Sequence, residues 1–473
     1  MNKKQAALLL LTVVVAAFFR LYRLNTAPPG FNADEATDGV DAVTAWRTGD
    51  FRPFYPENNG RGGLFINLVA VTYGLIGQSQ PWVVRLPSAL LGTLTVLGVY
   101  ALARQSSLQR TAWLAAWFMA TGLWYIDLSR TGGPRVGAAA CLVWSLWLGQ
   151  QAIIGATRNS NWSLWAILAG AVYGLGFYTY SAYFLTPLLM LIVFSRQERQ
   201  AACRVAALSL VATVLTILPL AIFVVQQPNA FFHRVNQLSG FAVTHPIHDF
   251  ANNAWRTVGM LNLAGDLNPR HNIPGRAMLF WPVGFLFLVG VGVAVRRHHW
   301  LLWWLGIGLL PAIIVPEGVP HAGRALLAGP AAYLLAALGA EFLIQKAEPY
   351  RWRAVVPRLT LLLAVAVALE GYCSYFVVWA RDPRVAEWFD SSLVQVASRL
   401  DALPRELPKY VILDPDPMTV RGLPFAAQTI MFLTDTATRD RQQDKNLHYL
   451  WPDQTNQIAR GYVYVCHIET TRP

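Results

Sequence analysis

The amino-acid sequence predicts a mainly α-helical protein that crosses a membrane many times and ends in a small α/β domain. Three observations carry that prediction. The 473 residues are 55% hydrophobic and only 14% charged, with a mean hydropathy of +0.36, whereas soluble domains carry about 25% charged residues. Apolar runs able to span about 30 Å of hydrocarbon recur along the chain as far as Ala380. The turns between alternate runs are basic and poor in acids, which is the pattern of cytoplasmic loops.

In chain order the predicted spans are residues 5–19, 83–103, 111–126, 136–156, 162–178, 183–194, 205–225, 278–295, 300–315, 325–343 and 360–379. That makes about eleven. Lys3 and Lys4 precede the first run, and Phe18-Phe19-Arg20-Leu21 offers no small-residue cleavage site, so it reads as a retained anchor. With the N-terminus cytoplasmic, the inner turns hold Arg104 and Arg110, Arg158, Arg196, Arg199 and Arg204, Arg296 and Arg297, then Lys346, Arg351, Arg353 and Arg358. An odd number of spans then puts two large loops, 20–82 and 226–276, and the tail after Ala380 outside.

Residues 64–76 are apolar but too short to span, and read as a re-entrant or interfacial helix. Ala36, Val40, Val43 and Trp46 recur about one helical turn apart, which suggests an amphipathic helix lying on the membrane. The expected division is a membrane domain over 1–380 and an extracytoplasmic domain over 381–473. In the latter, 383–400 and 424–433 read as helices, and Tyr410-Val411-Ile412-Leu413 and 461–466 as strands.

The net charge of +12 is scattered between apolar runs, as membrane anchors and anion-binding groups are, and does not point to nucleic acid. Cys141, Cys203, Cys373 and Cys466 have neither metal-ligand spacing nor a disulfide framework. No nucleotide-binding loop, dinucleotide fingerprint, zinc-protease motif or nucleophile elbow occurs. No metal or cofactor is expected.

Chemistry concentrates in the predicted outer loops. Asn32-Ala33-Asp34-Glu35-Ala36-Thr37-Asp38 places two adjacent carboxylates just beyond the first span. Such a carboxylate can take a proton from a hydroxyl; equally, Asn32 or Asp34 can cap a helix beginning at Glu35. The stretch 265–275 contains Arg270, His271 and Asn272 between prolines, a donor-rich turn able to cradle a phosphate or sugar, or an Asx turn with a solvated arginine. Arg61, Arg130, Arg135 and Arg324, the last beside His321, stand at the mouths of apolar segments. Each can bind an anionic ligand or snorkel to headgroups. Tyr178, Tyr180 and Tyr183 read as an interfacial belt, and Glu370 is an isolated charge inside the last span.

The order of a first span, Asp34-Glu35 in a long outer loop with interfacial helices, many spans and an outer tail resembles the GT-C glycosyltransferases. The likeness is to the protein O-mannosyltransferase and aminoarabinose transferase superfamily, glycosyltransferase families 39 and 83. Asn268-Pro269-Arg270-His271-Asn272-Ile273-Pro274-Gly275 and Pro320-His321-Ala322-Gly323-Arg324 also look like its bacterial members, and the resemblance covers Met1 to about Ala380. It implies transfer of a sugar from a polyprenyl-phosphate donor to an extracytoplasmic protein, lipid or glycan, with inversion. Asp34 would be the general base and Glu35 the second acid of the motif. Arg61, Arg270 and Arg324 are candidates for the departing phosphate on chemical grounds, with His271, Asn272 and His321 beside them. Membrane lipids, the donor, the acceptor and a membrane-protein partner at the C-terminal domain are the expected partners. Two rivals remain: a transporter or flippase of an anionic or lipid-linked substrate, and a non-catalytic assembly subunit. Transporters usually carry ionisable groups near the bilayer midplane.

Overall fold

In the computed structural model the apolar runs form helices. It describes residues 2–106, 109–158, 160–232, 246–347, 355–415, 418–461 and 463–468. The expectations for Arg351, Arg353, Tyr462 and part of the second large loop, 233–245, lie outside the described residues. The chain opens with α1 (Lys3–Leu21), α2 (Ala33–Thr48), the strand pair β1 (Phe54–Tyr55) and β2 (Arg61–Gly62), and α3 (Gly63–Ile76). There follow α4 (Pro81–Ser106), α5 (Gln109–Thr121), α6 (Leu123–Arg130), α7 (Arg135–Thr157), α8 (Trp162–Gly176), α9 (Thr186–Phe194) and α10 (Arg199–Gln226). Next come α11 (Pro246–Gly259), α12 (Trp281–Arg297), α13 (His299–Ile314), α14 (Gly329–Ala347) and α15 (Val356–Tyr372). The tail holds α16 (Pro383–Trp388), α17 (Ser391–Ala402), β3 (Lys409–Leu413), β4 (Thr419–Val420), β5 (Leu423–Pro424), α18 (Ala427–Leu433), α19 (Arg439–Asp444), β6 (Leu447–Leu450) and β7 (Tyr464–Ile468).

Among the described residues, six helices are long and apolar enough to cross a membrane: Lys3–Leu21, Pro81–Gln105, Arg135–Thr157, Arg199–Gln226, Leu326–Ala347 and Val356–Arg381. Gly63–Ile76, Trp162–Gly176, Ser181–Phe194 and His299–Ile314 are shorter apolar helices. Among the described residues, length and composition thus single out fewer spans than the hydropathy pattern suggests. One reason is visible at the run 111–126, which breaks at Gly122 into α5 and α6. A Cβ there would lie 2.3 Å from the Tyr333 hydroxyl.

The chain divides into two compact units. The first comprises Met1–Tyr22, Ser88–Arg130 and Pro134–Trp379. Helices pack tightly within it where small residues let backbones meet. A Cβ on Gly290 of α12 would lie 1.8 Å from the Leu335 carbonyl of α14, and one on Gly339 would lie 2.0 Å from that of Leu286. Arg130, expected to bind an anionic ligand or to snorkel to a headgroup, is buried instead. It donates to the carbonyls of Phe19 (2.7 Å) and Tyr22 (2.6 Å) and lies over the rings of Tyr375 and Phe376.

The second unit gathers Arg23–Pro87, Thr131–Gly133 and Ala380–Pro473. Its tail is an α/β layer: a parallel sheet in the order β6-β3-β7, with Leu400, Val411, Leu413, Ile430, Leu447 and Ile468 in its core. The expected helix over 383–400 is two helices, α16 and α17, separated at Asp390 by a left-handed residue with φ 52°. At the other end of the unit, α2 packs on α3 and α18 through Phe31, Val40, Val43, Phe65, Val69, Val84 and Phe432. The spacing of its apolar residues suggests a helix resting on lipid. Instead the polar face is buried too, because Asp38 and Asp41 are ion-paired within the protein.

Gly39 marks how closely α18 approaches α2. A Cβ at this position would lie 2.6 Å from the Phe432 ring and 3.1 Å from Val84. Gly39→Ala should therefore destabilise this unit by about 1–3 kcal/mol through overpacking, although alanine favours helix more than glycine does. Thermal unfolding in detergent checks this. Adding Phe432→Leu, which removes the ring, should recover most of the loss.

Candidate active site

In the second unit, the stretch Asn32–Asp38 forms the start of α2. Asn32 is the N-cap: its side chain accepts from the Glu35 amide at 3.0 Å, while the Glu35 carboxylate accepts from the Asn32 amide at 3.3 Å. This reciprocal capping box satisfies two amides at once. Asp34 therefore does not cap the helix. It sits in the first turn, half-buried, where the helix N-terminus favours negative charge.

Glu35 is buried and committed. Oε1 accepts from Arg85 Nε (2.9 Å) and from the Gly132 amide (2.7 Å); Oε2 accepts from Arg85 Nη2 (2.9 Å). Arg85, itself fully buried, also donates to the carbonyls of Leu24, Pro28 and Gly30. With its oxygens so occupied, Glu35 holds the architecture and has no capacity left for a substrate. No sequence pattern marked Arg85, which lies in an apolar helix and about fifty residues away from its partner.

One turn and two turns further along α2 come Asp38 and Asp41. Arg61 donates to both, and its Nε donates to the Glu57 carbonyl at 3.2 Å. Arg421 donates to the other oxygen of Asp41. Burial pushes the Asp38 carboxyl up to about 7, while Arg61 beside it pulls the other way. The turn that carries Arg61 also carries Asn58, whose Nδ2 donates to Asp34 Oδ1 at 2.9 Å. Arg61 is thus occupied by the acidic face of α2. Asn58, Asp38, Asp41 and Arg421 were not singled out from the sequence as site residues. Only their types were legible there, because what joins them is tertiary.

A separate cluster lies in the first unit, around the turn 265–276. The turn is rigid: the Gly265 amide donates to the Gly275 carbonyl, and the Gly275 amide donates to that of Asp266. Buried Asn272 donates to the carbonyls of Asp266 (3.2 Å) and Arg276 (2.6 Å), which makes it a fastener of the turn. Asp266, a residue of the quoted stretch not chosen as a candidate, is the hub. Its Oδ2 accepts from the Ala322 amide at 2.8 Å and lies 3.3 Å from His271 Nδ1. The His271 and His321 rings are 4.6 Å apart.

His271 Nε2 lies 3.4 Å from Arg135 Nη1. Arginine only donates, so this nitrogen accepts and Nδ1–H faces Asp266. Burial, with His271 and Arg324 nearby, holds His321 well below the usual imidazole range, and it stays neutral. Burial raises the Asp266 carboxyl, with backbone amides and His321 opposing. Arg324 pairs with Glu317 at 2.9 Å, and Arg270 has its backbone amide bound by the Asn268 side chain. Asp127 is buried close enough to feel the charges of Arg135, Arg130 and Arg270. Among the described residues, Asp266, His271 and His321 have the donor types and spacing to hold a metal ion, with one ligand atom of each within 4.8 Å of the others. Glu370, isolated in the sequence, is paired with Arg276 and accepts from Ser374 at 2.6 Å.

Residues 64–223 match the family model described as dolichyl-phosphate-mannose-protein mannosyltransferase. The chain is 28% identical over 240 residues to YkcB of Bacillus subtilis, a relative with a provisional mannosyltransferase name. That match takes in 47% of this chain and 32% of the relative, so the chain spans about a third of its length. In structure it is similar to the Archaeoglobus fulgidus oligosaccharyltransferase AglB, solved with an inhibitory peptide and dolichol-phosphate. The TM-score is 0.56 at 14% identity, over 91% of this chain and 64% of that one. It is also similar to Cupriavidus metallidurans ArnT bound to undecaprenyl phosphate, with a TM-score of 0.57 at 16% identity over 97% and 91% of the two chains. At such identities the likeness establishes a shared fold.

The commitment of Glu35 has a direct consequence. Glu35→Gln leaves the Arg85 guanidinium buried without its counter-charge, which typically costs about 3–5 kcal/mol. The variant should show a lowered unfolding temperature in detergent. Unchanged stability would mean that the pair does not carry this part of the fold.

Proposed function

We infer that this chain belongs to the GT-C superfamily of membrane glycosyltransferases and transfers a sugar from a polyprenyl-phosphate donor to a hydroxyl-bearing acceptor outside the cytoplasm. One observation carries the reading. Glu35, Asp38 and Asp41 each sit in a salt bridge with arginine, and Asp34, half-buried in the first turn of the same helix, accepts from the Asn58 side-chain amide at 2.9 Å. That amide orients the Asp34 carboxylate at the start of α2, as a general base has to be held. Two proteins of the same fold are named with a polyprenyl phosphate bound, which supports the donor class.

In this mechanism Asp34 takes the proton of the acceptor hydroxyl as its oxygen attacks the anomeric carbon. The bond from that carbon to the phosphate oxygen breaks, and the configuration inverts. Charge on the departing phosphate needs cationic donors. Arg270 and Arg324 are assigned that role, with His271 and His321 as neutral hydrogen-bonding groups. Arg61 and Asn272, bonded within their own clusters, are left with structural duties, and Glu35 holds the helix that carries the base.

Asp34→Asn keeps the shape and the hydrogen bond to Asn58 but removes the basic lone pair. It should lower turnover by about 10²–10⁴ while unfolding temperature and donor binding stay near parental. Arg270→Ala should weaken donor binding, each charge-assisted hydrogen bond contributing about 1.5–3 kcal/mol. Sugar release from a polyprenyl-phosphate mannose donor in native membranes, measured beside donor binding, reads both. Near-parental turnover of Asp34→Asn would remove the base and leave transport of a lipid-linked substrate as the better account.

A further inference from the structure

Arg421 lies in the tail, in the short hairpin formed by β4 and β5, and its placement is unusual. Arg421 and Gly422 form the two-residue turn, with φ of +55° and +72°. Both positions of such a turn favour glycine, asparagine or aspartate, and a non-glycine residue held there is uncommon enough to ask what it does. The guanidinium is set in place from its own side. Nη1 donates to Gln428 Oε1 at 2.7 Å, and buried Gln428 donates in turn to the Val420 carbonyl at 3.3 Å. Nη2 donates to Asp41.

The charge count shows what this contact supplies. Asp38 and Asp41 are both nearly inaccessible, with side-chain exposures of 4% and 8%. Arg61 alone would face two buried carboxylates; with Arg421 present the four groups balance. Each oxygen of Asp41 then has its own guanidinium, and Arg61 can divide its two terminal nitrogens between Asp38 and Asp41. Its Nε stays on the Glu57 carbonyl and so closes the turn through Asn58, Asn59 and Gly60. All three residues of that turn have left-handed backbones, with φ of 50°, 64° and 82°, so it depends on being held. Asn58 from this turn donates to Asp34.

We propose that Arg421 is a positioning residue: through Asp41 and Arg61 it fixes the turn 57–61, and through Asn58 it fixes the orientation of Asp34. The proposal rests on Asp34 being the base. It makes the tail a working part of the reaction and gives it a role that no substrate contact is needed to explain.

The test uses the full chain in detergent, with Arg421→Gln and Arg421→Lys. Hydrogen exchange reads the turn directly. In Arg421→Gln, exchange across 57–62 should speed up at least about tenfold, well beyond any change across 423–433, and the loss of one counter-charge to buried Asp41 should lower the unfolding temperature. Arg421→Lys, which keeps the charge, should restore most of the protection. In native membranes, Arg421→Gln should lower kcat for the polyprenyl-phosphate mannose donor by about tenfold to a hundredfold, as a slight misplacement does, without raising KM. Unchanged exchange in 57–62 would overturn the proposal, and so would equal loosening of 57–62 and 423–433, the mark of a merely structural residue. Asp34→Asn separates the two claims. If it abolishes turnover while Arg421→Gln leaves both exchange and kcat parental, only the present inference fails. If Asp34→Asn retains turnover, the assignment of the base fails whatever Arg421 does.

Discussion

The buried pair of Glu35 and Arg85 is the interaction on which the second unit depends. It joins the start of α2, the segment 24–30, the start of α4 and the amide of Gly132, which come from separate parts of the chain. Burying two charges is costly unless geometry and hydrogen bonds are both complete. Here the carboxylate accepts from Arg85, Gly132 and Asn32, and the guanidinium also donates to three carbonyls. The arrangement specifies one geometry for the helix entrance, because a rotation of α2 would leave several of these groups unpaired at once.

Around that anchor the acidic face of α2 is neutralised residue by residue. The result is a helix with four carboxylates that packs on apolar neighbours along its length. Val40 and Val43 turn toward the α3 and α18 core, while Arg61 and Arg421 occupy the acidic side. A carboxylate in such surroundings can be structural or chemical depending on its partner. A guanidinium holds it as an anion, as at Glu35, Asp38 and Asp41.

The fold class was legible in the sequence because bilayer insertion leaves a one-dimensional record: length, hydropathy and the sign of flanking charges. Two of the tail strands, β3 and part of β7, were legible too, from their β-branched and aromatic runs, whereas β4, β5 and β6 were not marked. The site was legible only in part. Asp34 and Glu35 stood out as adjacent acids, but nothing local showed that Glu35 is the one bound by a buried arginine, since that difference lies in Arg85, fifty residues away. The amphipathic reading of α2 failed for the same reason: periodicity reports apolar residues, and cannot say that distant arginines cover the polar ones. Asn272 and Arg61 had the right chemistry for a ligand, yet their hydrogen bonds go to carbonyls and carboxylates of their own clusters.

The second unit is assembled from three stretches, the last of which begins at Ala380. A ribosome releases α2 long before it releases Phe432 and Arg421, the residues that cover the helix's apolar and acidic sides. Between those moments a helix of mixed character waits with half of its partners unmade, and domains normally complete themselves in the order of synthesis. The chain therefore cannot complete the surroundings of α2 first. A protein stopped short of Ala380 would carry its apolar helices and still lack the residues that cover α2, so that completion of this unit is tied to the arrival of a late stretch of the chain.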